Sequence, residues 1–174
     1  MTKWIIAIFM GLVAIMAIAT TALLAREFLF DDETIEETHL SDHVMIESLS
    51  SNQAQYQQLL AMFQADQPLK AVHPEWVEPK GAINEQRWAE YKQLFTALEL
   101  QAGMRIREDN SIWFINTIVG FKKGGSSKGY VYQPSLPTPQ YPSLDTQPKE
   151  PGKGDHVAYK LINEPWYILY EWDQ

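Results

Sequence analysis

The chain has no cysteine. That excludes a disulfide framework, a thiolate metal site, a cysteine nucleophile and the thiol to which bacterial lipoproteins attach their lipid. Whatever folds here must stand on its core alone. Basic residues are also scarce. From Asp31 onward 12 Lys plus Arg face 21 Asp plus Glu, a net charge of -9. A surface of that sign repels phosphate backbones and anionic lipid, so no nucleic acid is expected as a partner. There is no internal repeat and no cofactor signature, and no cofactor is expected.

What stands out against these absences is one long apolar run. Trp4 to Ala25 carries no charge, with Lys3 before it and Arg26, Glu27, Asp31, Asp32 and Glu33 after it. About twenty apolar residues rising 1.5 Å each as a helix match a hydrocarbon core of about 30 Å. A helix also satisfies its own backbone where water is missing. Residues 1–27 are therefore expected to be a single-pass anchor in a bacterial inner membrane. Glu27 to Glu47 holds eight acids and no Lys or Arg. Because basic flanks stay cytoplasmic, the amino terminus is expected inside and the remainder in the periplasm. The alternative is a cleaved signal peptide, since Ala17-Ile18-Ala19 has the small-x-small pattern of a processing site. The apolar stretch continues to Ala25, longer than an ordinary signal core, which favours the uncleaved anchor.

Residues 28–40 read as an acidic linker, and residues 41–174 as one extracytoplasmic domain. Ser41 is a fitting N-cap, followed by apolar positions at Met45, Leu49, Tyr56, Leu59, Leu60 and Phe63 at helical spacing, with a break expected at Ser50 to Asn52. Three prolines between Pro68 and Gly81 predict a loop. A further helix is predicted from Asn84 to Gln101, with Trp88, Tyr91, Leu94, Phe95 and Leu98 on its buried stripe and Gly103 as its terminator. Strands are predicted at Met104 to Glu108, Ile112 to Val119, Lys128 to Gln133, His156 to Ile162 and Trp166 to Trp172. Six prolines between Pro134 and Pro151 predict a long surface loop. The expected fold class is α+β: after the transmembrane helix, two or three helices packed on one face of a four- to five-stranded antiparallel sheet.

Four features are candidates for chemistry. Glu36, His39, His43 and Glu47 recur every three to four residues, and imidazoles four apart on a helix can chelate a divalent metal. The stretch from Lys122 to Gly129 has glycines, serines and Lys122, Lys123 and Lys128. It lacks the order of a Walker loop and leads into a strand, so no nucleotide is expected and its lysines are read as facing an anionic or acidic partner. A Ser126 or Ser127 nucleophile with Lys128 as base lacks the usual Ser-x-x-Lys spacing. His73-Pro74-Glu75-Trp76-Val77-Glu78-Pro79 combines two carboxylates with an indole, the minimum equipment for glycan hydrolysis or binding, while its plainer reading is a loop pinned to the core by Trp76.

The last feature is the aromatic strand set. Trp113, Tyr130, Tyr132, Trp166, Tyr170 and Trp172 are expected in alternation on two sheet faces, and those on an uncovered face would offer a protein partner an apolar patch. A membrane helix, an amphipathic helix and an antiparallel sheet resemble the layout of type IV pilins and pseudopilins. Their processing motif, a glycine before the mature terminus and a glutamate near its fifth position, has no counterpart in Trp4 to Ala25. The order of elements is also similar to cystatin-like and NTF2-like folds. The function expected is therefore binding of another protein, in an accessory or immunity-type role. A glycan-active periplasmic protein and a pilin-like or secretion-system component are the alternatives.

Overall fold

Ser41 begins the first helix as expected: its Oγ accepts the Val44 N–H at 3.3 Å in a computed structural model that describes residues 38–120, 125–148 and 155–173. The anchor expected over residues 1–27 lies outside the described residues, as do Glu36, Lys122 and Lys123. Among the described residues no helix is long and apolar enough to cross a membrane. All of them belong to one compact unit.

Helix α1 runs Asp42–Ser51 and α2 runs Gln53–Ala65. The break falls at Asn52, whose Nδ2 turns back to donate to Ser48 O. Across the break the apolar stripe is continuous, and Met45, Leu49, Tyr56, Leu59, Leu60 and Phe63 are all buried. Helix α3, Glu85–Ala97, is capped by the Asn84 side chain. Asp66 at the end of α2 ties it down, accepting from Arg87 Nε at 2.7 Å and from the Tyr91 hydroxyl at 2.9 Å. The helix stops four residues short of the predicted Gln101. Glu99 turns to φ 54° and Gly103, rather than terminating the helix, opens the next strand at φ 70°.

The sheet has seven strands, not four or five: β1 Ala71–Val72, β2 Val77–Glu78, β3 Gly103–Ile106, β4 Ile112–Val119, β5 Ser126–Tyr132, β6 Asp155–Asn163 and β7 Trp166–Asp173. Their order is β2-β1-β3-β4-β5-β7-β6, antiparallel throughout. The two additional strands lie in the stretch predicted as a proline loop. Two-residue strands escape a periodicity test, and β1 pairs only because β3 lies beside it. Glycine makes that pairing possible. A Cβ on Gly103 would stand 2.1 Å from Val72 O, and one on Gly129 would stand 2.0 Å from Phe114 O.

Alternation sets the two faces. Phe114, Tyr130, Trp166, Ile168, Tyr170 and Trp172 join the buried residues of all three helices in the main core, whereas Trp113, Ile115, Val131, Tyr159, Tyr167 and Leu169 form a second buried cluster on the opposite face. The helices therefore cover one face, as expected. A bulge at Asn116 breaks the register of β4, so that Thr117 pairs with Lys128 and turns toward the helices. The proline-rich connection is more than a surface loop. Gln140 bridges β6 in parallel at Tyr159, and Leu144 is buried in the main core.

Candidate functional site

Where the chain leads into α1, four elements converge on a polar node. Lys128, on the helix-facing side of β5, is completely buried, and its Nζ lies 2.8 Å from Asp42 Oδ1 and donates to Leu40 O at 2.8 Å. Lys160 of β6 approaches Asp42 Oδ2 at 3.0 Å. From the proline-rich strap, Leu144 N–H and Ser143 Oγ donate to the same oxygen, and Asp145 Oδ1 accepts the Asp42 N–H at 2.6 Å. Burial opposes the charge on Asp42, but Lys128, the Leu144 amide and Lys160 outweigh it and hold the carboxyl below its ordinary pKa.

His39 completes the node. Its Nδ1 is 2.6 Å from Thr117 Oγ1, its Nε2 is 2.8 Å from Ser126 Oγ, and its ring meets Tyr170 edge-on at 4.9 Å. A neutral ring suits this seat, one nitrogen donating and the other accepting. Burial, and then the Lys128 ammonium, bring its pKa from 6.5 down to about 4. A base whose pKa falls on folding stabilises fully above its unfolded value, and loses that stability as pH drops toward the folded one. The domain is therefore expected to lose stability steadily as pH falls from 6.5 toward 4. Urea unfolding at stepped pH checks this. His39→Gln should flatten the dependence over that window, and an unchanged slope would refute the assignment.

This geometry revises three sequence readings. His39 and His43 do not converge: His39 is turned into the node, whereas His43 is solvent-exposed and pairs with Glu47 at 3.5 Å. Among the described residues no group of three metal-ligating side chains forms. Lys128, expected to face a partner or to act as a base, is instead the buried counter-ion of Asp42. The partner of Ser126 is His39, 87 residues away in sequence. That pair has the outline of nucleophile and base, but the other ring nitrogen of His39 meets the neutral Thr117 hydroxyl rather than a carboxylate, and the Lys128 ammonium disfavours an imidazolium. The node fastens the lead-in segment to the sheet and the strap.

The aromatic set is placed by burial. Tyr130, Trp166, Tyr170 and Trp172 lie under the helices with at most 6% of their surface exposed, and Tyr132 is half-buried beside Trp166. Trp113 lies on the opposite face, where an uncovered aromatic would have formed an open patch. It is 2% exposed, and the Arg105 and Arg107 guanidinium groups sit over its ring at 5.4 and 5.3 Å. These six side chains serve packing.

The aromatic that does face solvent is Trp76, at 48% exposure the one exposed aromatic among the described residues. It does not pin its loop to the core. Trp88 does so by donating from Nε1 to His73 O at 2.9 Å. Trp76 stacks on the His73 imidazole, with centroids 5.1 Å apart and planes 8° from parallel. The hairpin fixes that stack: His73 N–H donates to Trp76 O at 2.8 Å, and Glu75 N–H donates to His73 Nδ1 at 3.1 Å. Glu75 and Glu78 lie on either side of Trp76 in sequence, both exposed and neither in an ion pair among the described residues. Beside Pro74 opens a cleft of about 430 Å³, lined also by Lys92, Thr96, Glu99, Gln101 and Thr117. Leu40, Phe95 and Leu100 make the lining mainly apolar, with those polar groups set into it, a combination suited to recognising another molecule. Comparison of the chain with protein-family models, with curated proteins and with solved structures finds no match.

Proposed function

We propose that this chain is a single-pass, membrane-anchored envelope protein whose extracytoplasmic α+β domain binds another protein, in an accessory or immunity-type role. The observation that carries the reading is Trp76. A large indole held rigid by its own hairpin yet half open to water is the residue type and setting in which binding energy concentrates. The node at His39, Asp42 and Lys128 supports the tethered part of the reading. It fastens residues 39 to 42, which follow the apolar run and acidic linker, to three strands and the strap.

A photo-crosslinking residue at position 76 of the full chain in membranes tests the proposal. One discrete protein adduct is expected there, and none at position 161, where an equally exposed Leu161 lies far along the sheet on β6. No adduct at position 76 would overturn the binding reading, and recovery of the full chain in the soluble fraction would overturn the anchor. Glycan binding is a second reading favoured by the same stacked indole, because sugar rings pack on such faces.

A further inference from the structure

We infer that the Trp76 rim seats a cation, a lysine or arginine side chain of the partner protein, on the open face of the indole with Glu75 and Glu78 as its counter-charges. The inference rests on the protein-binding reading and names the chemistry of the partner. It comes from how the chain treats its other indoles. Trp88 carries Lys92 Nζ at 4.3 Å from its ring centroid, and Trp113 carries two guanidinium groups. Trp166 and Trp172 are buried. Trp76 alone among the described tryptophans is both exposed and without a cation.

His73 occupies one face of the ring, so the exposed area belongs to the other face and the edges. A ring face is the negative part of the indole quadrupole and attracts a cation within about 6 Å. The two neighbouring carboxylates are acceptors only, which suits an ammonium or guanidinium better than a neutral polyol. Neither is spent on Lys70 or Lys80, the nearest basic residues in sequence. The described residues carry 8 Lys plus Arg against 15 Asp plus Glu, an overall balance that favours a cationic partner over an anionic one. The hairpin bonds already fix the ring, and little further freedom is lost on binding.

The test uses the full chain in uncharged detergent micelles and a synthetic peptide alternating arginine with glycine, with a glutamate-glycine peptide as control. The Trp76 indole N–H signal, assigned through Trp76→Phe, is followed by NMR. The arginine peptide is expected to move that signal while leaving buried Trp166 in place, and the glutamate peptide to do nothing. Glu75→Gln combined with Glu78→Gln should weaken the arginine peptide about tenfold, within the roughly 2- to 30-fold range of two exposed ion pairs. No movement, or movement undiminished in the double variant, overturns the inference. A peptidoglycan fragment that moves Trp76 where the arginine peptide does not overturns it in favour of glycan binding. A protein adduct at position 76 with a silent arginine peptide overturns the inference and leaves the protein-binding reading standing.

Discussion

Asp42→Ala is expected to lower the unfolding free energy by about 3–5 kcal/mol, the cost of leaving a buried charge without its counter-ion. Lys128 is completely buried, and in the variant its ammonium would keep only Leu40 O and Asp145 Oδ1, the latter at 3.6 Å. Lys160, the Leu144 amide and Ser143 would lose their acceptor as well. Urea denaturation followed by tryptophan fluorescence measures the loss. Asp42→Asn, which keeps an acceptor for the Leu144 amide but no charge, should fall between the variant and the parent. Salt should change the parent little, because a buried pair is poorly screened. A loss below about 1 kcal/mol, the range of an exposed ion pair, would show the node to be solvated. The node also has its own pH signature. Asp42, with its pKa depressed in the folded state, contributes stability above the ordinary carboxylate pKa and loses it as pH falls through its lowered value.

The other large effect is expected at Tyr56. This side chain is completely buried, and its ring meets Phe114, Tyr130 and Trp166 edge-on with centroids 5.2 to 5.8 Å apart. Tyr56→Ala removes the centre of that cluster, where α2 rests on β4, β5 and β7, and should cost about 3–5 kcal/mol. Trp76→Ala removes a larger ring from an exposed site and should change stability by no more than about 0.5 kcal/mol. The two variants, unfolded side by side, separate core from rim. If Tyr56→Ala matched Trp76→Ala, the aromatic core would not be the organising centre of the fold.

Much of this architecture is legible in the chain. The Ser41 and Asn84 caps, the break near Asn52 and the two-faced alternation of β7 follow from local rules, because capping and side-chain period depend on neighbours a few residues apart. The candidate site was legible only in part. Trp76 with its flanking glutamates was visible as a motif, but its exposure was not, because a tryptophan among prolines reads equally as a core anchor.

The sequence by itself determined the helices and the five longer strands, the absence of thiol chemistry, the acidic balance and the long apolar run at the amino terminus. Tertiary structure alone decided where the charges went. A bulge at Asn116 turned Thr117 toward the helices opposite Lys128, and the lead-in segment, the strap and β6 closed over that lysine. Only then did Asp42, from the first turn of α1, meet a lysine 86 positions later and another 118 positions later. Pairing across such separations leaves no period in the sequence, because it depends on strand register and loop closure rather than on the preference of any one segment.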